Sequence, residues 1–153
     1  MIGVIERIRV FPEKSSPGIE EAEAELIHRL GLKGDFHAKG GERQISLRIV
    51  ASQLMPDTAS GAEKGLCTTR FKENITIREC PGVSDLFTDS RLSAGKRLAI
   101  GDALLEISGE TKQCYEECKL YRAGKTCSLA ATVFFAKVLK SGIIRSGDAV
   151  ELC

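Results

Sequence analysis

Apolar residues recur at every second position in several short runs, and glycines separate the runs. Ile2, Val4, Ile8 and Val10 take even positions in the first ten residues, Ile45, Leu47 and Ile49 alternate with Ser46, Arg48 and Val50, and Ile75 and Ile77 flank Thr76. A two-residue period belongs to half-buried strands, so each run predicts a strand. Residues 12–18, from Pro12 to Gly18, read as a turn after the first strand, and a Pro- and Gly-bearing stretch around 55–65 separates the second and third. Two later segments echo each other. RLAIGDALLEI at 97–107 and IIRSGDAVEL at 143–152 both set Gly-Asp ahead of a short alternating apolar run, which predicts the same turn-into-strand geometry twice.

Helix signals are fewer. EEAEAELIHRL at 20–30 is rich in helix formers and predicts a helix that Gly31 and Gly34 stop. A short helix is expected at 128–131, before a strand at 134–139. Many short strands with frequent glycine turns predict a mainly β fold, a mostly antiparallel barrel or sandwich with a few short helices. At 153 residues, with no linker or low-complexity segment, the chain is expected to form a single domain over 1–153.

The 22 basic and 21 acidic residues nearly cancel, so no global field draws the chain to nucleic acid or to an anionic membrane, and any anion site must be local. Glu6, Arg7 and Arg9 among the first aliphatic residues exclude a signal-peptide core, and no apolar run approaches membrane-spanning length. A soluble, cytoplasmic protein is expected. In that setting the six cysteines, at 67, 80, 114, 118, 127 and 153, are thiols, metal ligands or catalytic groups rather than disulfides.

Three polar constellations stand out. In GLKGDFHAKGGERQISL at 31–47, Gly31, Gly34, Gly40 and Gly41 permit close backbone approach to an anion, while Lys33, His37, Lys39 and Arg43 supply positive charge. The plain alternative is a glycine-rich hairpin loop with solvated charges. His37 is a candidate general base or metal ligand, or a surface or capping histidine. In RFKENITI at 70–77, Glu73 and Asn74 stand at the mouth of a strand, where an Asn caps a turn or bonds the edge of a heterocycle.

The third constellation is QCYEECKLYRAGKTC at 113–127. Cys114 and Cys118 are four apart, a spacing that sets both on one side in a helix or an extended strand, and Cys127 follows. Lys112, Lys119, Arg122 and Lys125 favour thiolates, the form that acts as nucleophile, sulfur acceptor or soft-metal ligand, whereas Glu116 and Glu117 oppose them. A structural zinc site is the other reading; it needs a distant fourth ligand such as His37.

Taken in order, GLKGDFHAKGGERQISL, GLCTTRFKENITI, LSAGKRLAIGDALLEISG, the cysteine segment and FFAKVLKSGIIRSGDAVEL resemble the MOSC family, the C-terminal domain of molybdenum cofactor sulfurases, and the stand-alone bacterial members most of all. The resemblance implies a pyruvate-kinase-type β-barrel and an extended chain, rather than a helix, over 20–30. It implies binding of the molybdenum cofactor (molybdopterin), sulfur carriage as a cysteine persulfide, or both. The partners it implies are a pyridoxal-phosphate-dependent cysteine desulfurase or other cofactor biosynthesis proteins.

By position after Gly101-Asp102, Cys118 matches the family's molybdenum- or sulfur-bearing cysteine, with Cys114 second and Cys127 a further member. The pterin phosphate is expected near Arg43 and the Gly40-Gly41 turn. Gly34, Asp35, His37, Gln44, Glu73 and Asn74 would contact the pterin or order the loop around it. Where related proteins carry a Met-Pro turn after the third cysteine, this chain has Ser128-Leu129-Ala130-Ala131. Three functions follow: a sulfur-transfer or molybdenum-dependent oxidoreductase component acting with separate partners, a non-catalytic cofactor carrier, and a structural zinc protein.

Overall fold

A computed structural model of the protein describes residues 1–50, 71–80, 93–109, 122–124 and 132–153. Cys67, Cys114, Cys118 and Cys127, and the helix expected at 128–131, lie outside the described residues. The strands run in chain order as β1 (Gly3–Val10), β2 (Ile19–Glu21), β3 (Glu23–Ile27), β4 (Gly31–Leu32), β5 (Ile45–Val50), β6 (Ile75–Glu79), β7 (Arg97–Ile100), β8 (Ala103–Ile107), β9 (Val133–Lys140), β10 (Gly142–Arg145) and β11 (Ala149–Leu152).

The main sheet follows the order β11-β7-β8-β9-β5-β6-β1-β2, and β1 also pairs with β11, which closes seven of these strands into a barrel. Closure leaves few unpaired edges, the usual solution for a small all-β chain. Within it β5 and β6 run parallel, while the other pairs are antiparallel. A parallel pair requires a long crossover, and the 51–74 stretch provides the length. Ile5, Ile8, Leu47, Ile75, Ile77, Leu98, Leu105 and Val138 fill the interior and are almost wholly buried. Each such side chain contributes about 1.5–3 kcal/mol of transfer free energy.

The β1 pattern departs from simple alternation. The β1–β6 register shifts between Ile5 and Arg7, a bulge at Glu6. The interior therefore receives both Ile5 and Ile8, Ile2 is buried just ahead of the strand, and Val4 stays partly exposed. A bulge resets which side chains face in, and here it sets Arg7 and Arg9 on the outer face of the barrel.

The expected helix at 20–30 is absent: the segment forms part of β2, then β3, which pairs with β10 and β4 in a three-stranded sheet. Leu26, Leu32 and Ile144 from this sheet join the barrel core. Burying Leu26 and pairing the backbone outweigh the helix propensity of the glutamates, a weak local preference.

The two Gly-Asp segments both lead into a strand, but through different turns. Gly101 and Asp102 are the central pair of one, while Gly147 is the second central residue of a turn that Asp148 closes by donating its N–H to the Arg145 carbonyl. Gly101, at φ +54°, opens the two-residue hairpin in which Ile100 faces Ala103. Gly147-Asp148 instead carries the chain from the small sheet back to the barrel. There the Gly147 N–H donates to the Ile5 carbonyl at 2.8 Å, and the Ile5 N–H donates to the Asp148 carbonyl at 2.9 Å.

Gly31 begins β4 at φ +135°, and a Cβ there would lie 2.6 Å from the Gln44 carbonyl oxygen, a backbone atom with little room to yield. Gly31→Ala is therefore expected to cost about 2 kcal/mol or more, read as a melting temperature lower by several degrees. An unchanged melting temperature would show that β4 is not pressed against the start of β5.

Candidate functional site

Asp35 and Asn74 anchor the glycine-bearing loop to β1 and β5. The Asp35 side chain is fully buried, and four groups converge on it. Oδ1 accepts from the Phe11 N–H at 2.8 Å and from Asn74 Nδ2 at 3.0 Å, and Oδ2 accepts from the His37 N–H at 2.9 Å and lies 3.1 Å from His37 Nδ1. Burial alone would push this carboxyl up. The His37 side chain, the Phe11 N–H and the His37 N–H outweigh it and hold the group below its ordinary value.

With Asp35 ionised, the neutral His37 ring carries its proton on Nδ1 and presents Nε2 as an acceptor. The imidazole is about a third exposed and stacks on Phe36 with ring centroids 3.8 Å apart. The arrangement is that of an oriented base or ligand at the loop surface.

Asn74 precedes β6 and uses its whole carboxamide. Nδ2 donates to Asp35 and to the Arg9 carbonyl at 3.2 Å, and Oδ1 accepts from the Ser46 N–H at 3.1 Å. The Ser46 hydroxyl accepts from the Asn74 N–H at 2.9 Å, and its own proton has the Lys72 carbonyl at 2.8 Å as its nearest acceptor. One side chain thus joins β1, β5, the start of β6 and the loop.

The other residues expected in the site divide into two groups. Gln44 clamps the loop to β9: Nε2 donates to the Gly41 carbonyl at 2.9 Å, and Oε1 accepts from the Val138 N–H at 3.0 Å. Gly40 donates its N–H to Leu30, Gly34 turns at φ +86°, and both lie on the same loop. Arg43 sets its guanidinium 4.8 Å from the centre of the Phe135 ring. Phe135 pairs with Ser46, so Arg43 reaches the outer barrel face that also carries Asn74 and Arg9.

On that face lies a cluster the sequence does not announce. Glu73, with a side chain only 5% exposed, places Oε1 at 3.1 Å from Arg7 Nη2, 3.3 Å from Arg9 Nη2 and 3.8 Å from Arg48 Nη1. Register explains the meeting: Thr76 is opposite Arg7 on one side and Arg48 on the other, and Arg48 is opposite Val133. Side chains directly opposite across strands share a face about 5 Å apart. Burial, then the charge of Arg7, pulls the Arg9 guanidinium below its ordinary value against the opposing pull of Glu73 and Glu20.

The sequence carries only part of the signal, two arginines separated by one residue on a strand and a third interrupting the apolar run of β5, and nothing local shows that they meet. Among the described residues no group of three His, Cys, Asp or Glu side chains could hold a metal, and no helix is long and apolar enough to cross a membrane.

Because the folded-state Asp35 is depressed, the stability it contributes is present at neutral pH and is lost as pH falls from about 4 through its lower native value. Asp35→Asn sets an amide against the two His37 donors and is expected to cost about 1–3 kcal/mol at pH 7. It should also flatten the acid limb of stability against pH, measured by urea unfolding. A variant with the native acid limb would show that Asp35 does not carry it.

The MOSC domain family model matches residues 37–151. No curated protein sequence matches the chain. Among solved structures, the fold is similar to that of the YuaD protein from Bacillus subtilis, with a TM-score of 0.67 and 19% identity over 99% of this chain and 96% of that one. It is also similar to YiiM from Escherichia coli, with a TM-score of 0.53 and 18% identity over 98% of this chain and 69% of that one. For YiiM from Geobacillus stearothermophilus the TM-score is 0.52 and the identity 15%, over 99% and 73%. The structural likenesses concern the fold. With the family model spanning well over half its length, the chain belongs to the MOSC domain family.

Proposed function

We propose that this MOSC protein works with the molybdenum cofactor, binding molybdopterin, carrying sulfur for its maturation as a persulfide on Cys118, or both. The observation that carries the reading is topological. The cysteine segment joins β8 to β9 and re-enters the barrel at Val133, in the same cross-strand row as Arg48, Thr76 and Arg7. Six positions separate Cys127 from Val133.

The residue types suit the group. Buried Nε atoms of Arg7 and Arg9 and the Thr76 hydroxyl have no hydrogen-bond partner among the described residues, which favours an anionic moiety, and a cysteine thiolate favours a soft metal. Cys118 would be the metal or sulfur ligand, and Cys114 and Cys127 accessory thiols. Arg43 and the loop of Gly34, Asp35, His37, Gly40, Gly41 and Gln44 would flank the pterin. When bound, the cofactor supplies a redox-active molybdenum centre. His37, fixed by Asp35, would accept or hold a proton at Nε2.

In sulfur delivery the Cys118 thiolate attacks the outer sulfur of a persulfide on a partner cysteine desulfurase. The donor S–S bond breaks, its inner sulfur leaves as a thiolate, and a new S–S bond forms on Cys118 with no net change in electrons. Pyridoxal phosphate belongs to that partner, and both would operate in the cytoplasm.

Protein purified without oxygen and incubated with a cysteine desulfurase and cysteine is expected to gain one sulfur on Cys118, read by peptide mass spectrometry, or to arrive carrying molybdenum and pterin. Cys118→Ser should abolish both, while Cys127→Ser keeps at least part. Full sulfur loading and full cofactor content in Cys118→Ser would overturn the assignment.

A further inference from the structure

The β3–β4 hairpin turns through His28, Arg29 and Leu30, with Ile27 opposite Gly31. The Leu30 N–H donates to the Ile27 carbonyl at 3.0 Å, so Arg29 is the third residue of a β-turn, and its φ is +66°. A positive φ at that position is ordinarily supplied by glycine. Among the described residues Arg29 is the one residue other than glycine with a positive φ. A β-carbon on left-handed backbone costs free energy, and such strain is concentrated at functional sites. Glycine would close this turn more readily, so the arginine side chain is what calls for an explanation.

Its surroundings point to one. Three hydrogen bonds bring separate segments together: the Arg29 N–H donates to the Val138 carbonyl at 3.2 Å, the His28 N–H to Ser141 Oγ at 2.8 Å, and the Gly40 N–H to the Leu30 carbonyl at 3.3 Å. Arg29, Lys39 and Lys140 are exposed around Leu30, itself 42% exposed. None of these three cations is engaged in an ion pair among the described residues. The carboxylates on the same segments are matched elsewhere: Glu23 with Arg145, Glu25 with Lys33, Glu42 with Lys137, and Asp35 inside its own network. Asp102, whose backbone adjoins Gly142, is the acidic neighbour left over, and it offsets part of the charge.

We propose that Arg29, Lys39 and Lys140, grouped around Leu30, form the docking surface for an acidic face of a partner protein. Three consecutive exposed residues of a turn project from the molecule, whereas small ligands are held in concave sites. Arginine beside an exposed aliphatic group is an interface composition. One leucine offers too little apolar area to enter a bilayer, and the patch has no Phe, Tyr or Trp on which nucleic-acid bases could stack. A partner seated here would lie against the Gly40 turn of the candidate site, since Gly40 bonds to Leu30. The surface uses neither Cys118 nor the arginines of β1, so it stands or falls separately from cofactor binding and sulfur transfer.

The test is fluorescence anisotropy of a short labelled peptide of glutamate and leucine, titrated with the full chain, beside the same peptide with lysine in place of glutamate. Saturable binding of the acidic peptide alone is expected, weakening as salt rises. Amide shifts in nuclear magnetic resonance spectra should fall at 28–30, 39–40 and 140–141.

Arg29→Gly is the decisive variant, because it removes the charge and relieves the backbone together. Affinity for the acidic peptide should fall roughly fivefold while the melting temperature holds or rises, a combination that damage to the fold does not produce. Arg29→Lys should keep most of the affinity. Absence of saturable binding, unchanged affinity in Arg29→Gly, or amide shifts confined to other surfaces would overturn the proposal. Tighter binding to phosphatidylglycerol vesicles or to a single-stranded oligonucleotide would overturn it in favour of those partners. Salt-sensitive self-association that Arg29→Gly abolishes would overturn it in favour of a second copy of the chain.

Discussion

The carboxamide of Asn74 joins parts of the chain that are remote in sequence. It donates to Asp35 and to the Arg9 carbonyl and accepts from Ser46, so the loop after β4, strand β1 and strand β5 meet on one side chain at the start of β6. Every partner is a polar group that would cost free energy if buried alone. The contacts are therefore strongly interdependent: Asp35 can accept four donors only while Asn74 holds its place, and Asn74 is saturated only while Asp35 is present. Networks of this kind fix one arrangement of backbone because partial satisfaction is worse than none.

What this arrangement displays is the outer face of β1, β5 and β6. The row of Asn74 carries Arg9, Ser46 and Phe135, and the next row carries Arg7, Thr76, Arg48 and Val133. The bulge at Glu6 turns both arginines of β1 outward while Ile5 and Ile8 stay in the core. The same bulge thus serves the core and the surface chemistry, in keeping with the frequency of bulges beside functional sites.

Much of the fold was legible because period-two alternation and glycine turns are local signals. β5, β6, the β7–β8 hairpin and β9 follow from them directly. The segment at 20–30 was misread by propensity, since its extended form depends on β10, more than a hundred residues away. The β1 bulge was invisible because nothing in IERIRV marks where the register shifts. Family resemblance corrected the helix and identified the barrel, which local pattern left open between barrel and sandwich.

The candidate site was legible in part. His37, Glu73 and Asn74 were singled out by residue type and Asp35 by the family resemblance. Asp35, His37 and Asn74 gather, with the polar atoms of Asp35 and Asn74 facing each other and the backbone, while Glu73 turns to Arg7 and Arg9. Arg7 and Arg9 entered the sequence reading only as charges incompatible with a signal peptide. Their meeting with Arg48 requires the parallel pairing of β5 with β6, a long-range feature that no local window contains.

The central claim is that the Asp35–Asn74 network is a single structural unit on which the display of the outer face depends. Native-state hydrogen exchange of the Phe11, His37, Ser46 and Asn74 amides tests it most directly. All four donate into the network, and three of them, at Phe11, His37 and Asn74, lie in the connecting segments that flank the strands. The account predicts that they exchange together, as slowly as the amides of the β5 core. Fast exchange at Phe11 and His37 beside slow exchange at Ser46 would contradict it, because the loop would then open independently of the barrel.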